Sequence, residues 1–180
     1  MRTLGRGILF FLAVLLFLPS VSAQVRTNTD PVRYDGWSLT LYGRSWHTRS
    51  KRNFNEGNWG FGVRKHFGSC FFAYANCYGE WTHVARNSVN GKTESVGVAA
   101  WFPVADVGGY QVGVSESLIY IYGYDVPILS RTYKGWVHMP ALTFGKNDWR
   151  LEWGVLTRDV WKWANGEEKA IYVISYNIRF

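Results

Sequence analysis

Residues 171–180, Ile171-Tyr172-Val173-Ile174-Ser175-Tyr176-Asn177-Ile178-Arg179-Phe180, decide how the rest of the chain is read. Side chains on a strand alternate between two faces. Tyr172, Ile174, Tyr176, Ile178 and Phe180 therefore share one face, apolar and aromatic to the last residue. Val173, Ser175, Asn177 and Arg179 share the other, which grows more polar toward the C-terminus. One face thus suits hydrocarbon, and the other suits an interior that is apolar at one end and polar at the other.

Working backward, period-two alternation recurs almost everywhere and long helical periodicity is nearly absent. It predicts strands over 37–47, 58–67, 70–82, 93–104, 110–122, 136–144 and 149–157 before the last one. Most approach the roughly 9–11 residues that a tilted strand needs to cross a bilayer. Their connections alternate between long (48–57, 83–92, 123–135, 158–168) and short (68–69, 105–109, 145–148), as do outer loops and periplasmic turns. The expected fold is all-β, an eight-stranded antiparallel transmembrane β-barrel of the outer-membrane type. The final strand resembles the one by which such barrels are recognised for insertion.

The beginning of the chain agrees with export. Arg2 and Arg6, an apolar run from Ile8 to Leu18, Pro19-Ser20 and the small residues Val21-Ser22-Ala23 read as a signal peptide cut before Gln24. The run is too short to span a bilayer, which takes about 20 residues. The chain then divides into a signal peptide at 1–23, a short periplasmic segment at 24–36 and a barrel at 37–180. Removing Arg2 and Arg6 lowers the formal charge from +7 to +5. The 10 Trp, 11 Tyr, 11 Phe and 19 Gly favour a membrane barrel over a soluble sandwich. Cys70 and Cys77 are placed in one strand, about 23 Å apart at roughly 3.3 Å per residue, and are expected to be free thiols.

The face turned away from lipid changes with depth. Strand five reads Gln111, Gly113, Ser115 and Ser117, then Ile119 and Ile121; strand seven reads Arg150 and Glu152, then Gly154 and Leu156. Strand eight gives Arg179, Asn177 and Ser175 before Val173, and strand six gives Thr143 before Met139 and Val137. Strand two puts His66 and Arg64 low, and Gly62 and Gly60 high. A polar plug in the periplasmic half and an apolar pocket above it are therefore expected. Gly60, Gly62, Val96, Val98, Ile119, Ile121, Val137, Met139, Gly154, Leu156 and Val173 would line that pocket. Such a pocket suits a hydrocarbon chain; a tightly packed interior is the alternative. Glu116 falls on the lipid face by the same parity.

The candidate site begins at Trp46-His47, followed by Arg49 and a basic loop with Lys51 and Arg52. Trp46-His47-Thr48-Arg49, Phe54-Asn55-Glu56, Trp59-Gly60-Phe61-Gly62, Trp101-Phe102-Pro103-Val104-Ala105-Asp106 and Met139-Pro140-Ala141-Leu142 resemble motifs of the outer-membrane lipid A palmitoyltransferase (PagP) family. The resemblance implies transfer of a palmitoyl chain from a phospholipid donor to lipid A in the outer leaflet, without cofactor or metal. His47 would be the general base that deprotonates the accepting hydroxyl, and Arg49, Lys51 and Arg52 would hold lipid phosphates. The family's Asp-Ser pair is replaced here by Gly79-Glu80, and its N-terminal amphipathic helix is missing. Glu80 is therefore the candidate carboxylate, with Ser88 or Thr82 as the hydroxyl. Outer-membrane lipids are the expected partners of a monomer; nucleic acid is not. A non-catalytic small barrel for adhesion or surface modification is the alternative function. A lipid A deacylase is a weaker third, because His47-Thr48-Arg49 lacks a His-x-Ser pattern.

Overall fold

A computed structural model describes residues 34–47, 55–71, 74–88, 90–126, 131–146, 148–156 and 171–180. They form eight strands: β1 Trp37–His47, β2 Trp59–Cys70, β3 Ala75–Arg86, β4 Thr93–Val107, β5 Tyr110–Val126, β6 Arg131–Gly145, β7 Trp149–Leu156 and β8 Ile171–Arg179. Each pairs antiparallel with the next, and β1 pairs with β8, so the sheet closes into a barrel. Closure leaves no sheet edge, which is the condition for strands to stand in hydrocarbon. The signal peptide at 1–23 and most of segment 24–36 lie outside the described residues.

The outer surface is what lipid requires. Trp37, Leu41, Trp59, Phe61, Phe67, Val98, Leu118, Trp136, Leu142, Phe144, Leu151, Trp153 and Phe180 all project outward. A soluble protein does not expose so continuous an apolar band, whereas an outer-membrane barrel does. Glu116 is on this face as its parity requires. Its carboxylate meets His138 Nδ1 at 3.1 Å, across the β5–β6 ladder. The lipid-facing carboxylate therefore has an imidazole partner.

Several strands extend further than alternation indicates, most of all at β6, which starts at Arg131 rather than 136. The largest correction concerns the cysteines. The turn after β2 is not Gly68-Ser69: β2 continues to Cys70, and the reversal lies between Phe71 and Tyr74, whose N–H donates to the Phe71 carbonyl at 3.2 Å. Phe71 adopts a left-handed φ of 48°, a conformation that sequence pattern assigns to glycine before phenylalanine. Cys70 and Cys77 thus stand on neighbouring strands, with Cα atoms 5.8 Å apart, and form a disulfide. It closes a periplasmic turn, in the oxidising compartment where such bonds persist.

The β6–β7 ladder is short. It runs only from Ala141 to Gly145 on β6, opposite Arg150 to Gly154 on β7. Pro140, which has no N–H to donate, stands where it ends. Among the described residues, β7 continues above that point through Val155 and Leu156, which pair with β8.

The disulfide makes a direct prediction. Purified, folded protein should take up no alkylating reagent until a reductant is added, and then two equivalents by intact mass. Alkylation of both cysteines without reductant would show that the hairpin turn is wrongly placed.

Candidate functional site

The interior is built from the floor upward. Arg64 on β2 is 2% exposed, and its two terminal nitrogens donate to Glu152 of β7 at 2.7 and 2.8 Å. Its Nε lies 3.0 Å from Glu80 Oε1 on β3 without pointing at it, so that contact is ionic. The guanidinium also sits 4.6 Å above the Tyr78 ring. Tyr42 of β1 donates to Glu80 Oε1 at 3.0 Å. Four strands are joined through one arginine.

Beneath this group lies a second polar layer. Arg150 stacks on Trp101 at 3.7 Å, and the Trp101 indole donates to Thr143 Oγ1 at 2.8 Å. His66 Nδ1 donates to Asn76 Oδ1 at 2.7 Å and its Nε2 accepts from Ser38 at 3.0 Å. Level with the cluster, Thr40, which pairs with Gly62, donates to Asn177 Oδ1 at 2.6 Å. The periplasmic half is thus a packed polar plug, as the depth gradient on β2, β5, β7 and β8 implies.

Above the plug is a cavity of about 110 Å³. Ile119, Ile121, Val137, Met139, Leu156 and Val173 line it, joined by Ile171 and Val84. The opposite wall carries Tyr42, Ser45, Asn58, Thr82, Ser88 and Ser95. Hydrocarbon side chains come mainly from β5 to β8, with Val84 from β3, while hydroxyls and amides come mainly from β1 to β4 and their connections, with Tyr124 from β5. The surface left open to the cavity is overwhelmingly apolar.

Five of the expected lining residues are elsewhere. Val96 and Val98 are 48% and 58% exposed and face lipid. The inward set on β4 contains Ser95, Ala99 and Trp101, a parity that a strand apolar on both faces does not reveal. Gly60, Gly62 and Gly154 make room for other side chains instead of lining the cavity. A Cβ at Gly62 would meet Glu80 Oε1 at 3.0 Å, one at Gly154 would meet Met139 at 3.1 Å, and one at Gly60 would meet the β3 backbone at Val84.

His47 ends β1, half-buried. Simple alternation from Trp37 would turn it toward lipid. A bulge between Tyr42 and Arg44 inserts one residue and reverses the parity. Arg44, which unbroken alternation would turn inward, consequently points out, 3.2 Å from Glu56 and 5.4 Å over the Trp46 ring. Ser45 and His47 turn inward, with Ser45 Oγ 3.4 Å from His47 Nε2. Asn58 Nδ2 donates to the same Ser45 oxygen. Neither Ser45 nor Asn58 is identifiable from sequence alternation, although Gly43 within β1 is the kind of residue that marks a bulge.

The other candidates are engaged elsewhere. Glu80 belongs to the Arg64 cluster at the cavity floor. Ser88 lines the cavity and its hydroxyl pairs with Tyr124 at 2.8 Å. Thr82 pairs with Ser95. Arg49, Lys51 and Arg52 lie outside the described residues.

No family model and no curated protein matches the chain. Among solved structures it is similar to the outer membrane protein Ail of Yersinia pestis, described in a phospholipid bilayer nanodisc. The identity is 12% and the TM-score 0.41, over 82% of this chain and 100% of that one. The assignment of this chain as an outer-membrane barrel rests on its closed ladder and apolar exterior.

The Arg64 cluster yields a stability prediction. Arg64→Met leaves two carboxylates buried without their cation, and breaking a buried pair in this way costs about 3–5 kcal/mol. Urea unfolding in lipid vesicles should register a loss of that order, whereas Val98→Ala on the lipid face should cost far less.

Proposed function

We propose that the barrel receives the end of an acyl chain from an outer-leaflet phospholipid and transfers the acyl group to a hydroxyl of lipid A, with His47 as general base. The observation that supports this most is the cavity itself, mainly apolar, lined by Tyr42, which donates to Glu80 of the Arg64 cluster, and by Ser45, the hydrogen-bond neighbour of His47. An imidazole beside a cavity-lining serine has the chemistry to take a proton from an acceptor hydroxyl near neutral pH. Among the described residues the β6–β7 ladder stops at Ala141, and Met139, Val137 and Leu156, which line the cavity, lie just above that point, where a lipid tail would approach from the side. Arg49, Lys51 and Arg52 would hold the phosphates of donor or acceptor.

The volume refines the resemblance to palmitoyltransferases. A dry apolar cavity of about 150 Å³ admits one benzene ring, so about 110 Å³ takes about four carbon atoms. The described part of the cup thus holds the tip of a chain or a short acyl group, rather than a whole palmitoyl chain. Removing an alkyl chain from lipid gains little, because lipid is as apolar as the cup. The cup selects chain length and position instead of supplying affinity.

The second reading is a non-catalytic small outer-membrane barrel used for adhesion or surface modification. Two observations favour it: Glu80 is committed to the Arg64 cluster, and the cavity formed by the described residues is short. Mass spectrometry of lipid A from expressing cells separates the two. Acyl transfer predicts an added acyl mass that falls by about 10²–10⁴ in His47→Ala. It also predicts that Met139→Trp, which fills the cup, shifts the product to shorter chains while Val98→Trp on the lipid face does not. A folded wild type that adds no acyl mass sinks the transfer reading and leaves the second one standing.

A further inference from the structure

The serine two residues before His47 has a geometry that proton abstraction by His47 alone does not use. Ser45 is 1% exposed, and it lines the cavity. Its Oγ lies 3.4 Å from His47 Nε2 and accepts a hydrogen bond from Asn58 Nδ2. An amide nitrogen only donates, so Ser45 keeps its own hydrogen for the imidazole. Other hydroxyls on the same wall are differently placed: Thr82 pairs with Ser95, and Ser88 with Tyr124. Ser45 is the one of these three that stands against an imidazole. A hydroxyl within reach of a base, and opening onto a substrate-sized cavity, is an activated nucleophile; such contacts are often loose before substrate binds.

We propose that Ser45 is the nucleophile of this site and carries the acyl group as a serine ester for part of the reaction cycle. The substrate class is an oxygen ester of a short acyl chain, or of a chain whose tip fits the cup. This rests on reading the barrel as an acyl-handling enzyme. In the first half, His47 Nε2 takes the Ser45 proton as Oγ attacks the ester carbonyl. The bond from that carbon to the alcohol oxygen breaks, and the departing alkoxide takes the proton from His47. In the second half, a hydroxyl acceptor gives its proton to His47 and attacks the serine ester. Ser45 leaves and recovers that proton. The acyl group has then moved between two oxygens with no oxidant or metal required. Asn58 Nδ2, which donates to Ser45 Oγ, holds the serine oxygen in place.

The test uses the full chain folded in detergent and a butyl fluorophosphonate probe, which reacts with an activated serine with loss of fluoride. Wild type should gain one adduct by intact mass, mapped to Ser45. His47→Gln should slow labelling by about 100-fold or more. Ser45→Ala should abolish it. Ser45→Cys, close in shape and inert to this probe, replaces Ser45→Ala if that variant fails to fold, as judged by unheated gel mobility. No adduct on folded wild type, an adduct at another residue, or labelling undiminished in either Ser45 variant overturns the proposal. Acyl transfer to lipid A, followed in parallel, separates the two readings. Transfer that survives Ser45→Ala but not His47→Ala overturns the serine ester and leaves transfer intact. A Ser45 adduct with no transfer by wild type supports the nucleophile and removes lipid A as acceptor.

Discussion

The guanidinium of Arg64, bonded at 2.7 and 2.8 Å to Glu152 and held 3.0 Å from Glu80, is the constraint on which the interior depends. Charges buried at this depth persist only when they are paired, so the three side chains fix one another. Gly62 carries no Cβ where Glu80 must lie, and Tyr42 donates to the same carboxylate from β1. The cluster does not add stability beyond what an apolar core of equal volume would give. It adds a defined depth at which polar packing stops.

Everything above that depth follows from what the plug excludes. With β1, β2, β3 and β7 tied together from inside, the outer half is left with a cup of about 110 Å³. Its walls differ because the strands differ. From β5 to β8 the inner positions above the plug are Ile119, Ile121, Val137, Met139, Leu156 and Val173; from β1 to β4 they include Ser45, Thr82 and Ser95. A ligand with an apolar tail matches a cavity whose open surface is overwhelmingly apolar. The bulge at Gly43 then sets the chemistry, by turning Ser45 and His47 toward the cup and Arg44 away from it.

The eight strands, the closed fold and the polar plug were legible in the sequence because alternation is strict where one face meets lipid. β8 is the clearest case, with Tyr172 to Phe180 on one side and Ser175 to Arg179 on the other. The outward Glu116 was legible for the same reason, though its partner His138 was not. What failed were departures from regularity. A positive φ at Phe71 moved a turn and converted two expected thiols into a disulfide. A strand apolar on both faces, β4, gave no parity and misplaced Val96 and Val98. One inserted residue in β1 reversed the direction of everything after it, hiding Ser45 and inverting Arg44. Asn58 was invisible because its importance lies in a contact across the β1–β2 connection.

The central claim is that the barrel is divided at Arg64 into a polar plug and an acyl-accepting cup. Nuclear Overhauser contacts between alkyl-chain protons of a bound detergent and side-chain methyls measure it directly. Contacts to Ile119, Ile121, Val137 and Val173 are expected from within the barrel, and none to Thr143 or Ala75 in the plug. Absence of contacts to the four cup residues, or contacts that continue below Arg64, would contradict it.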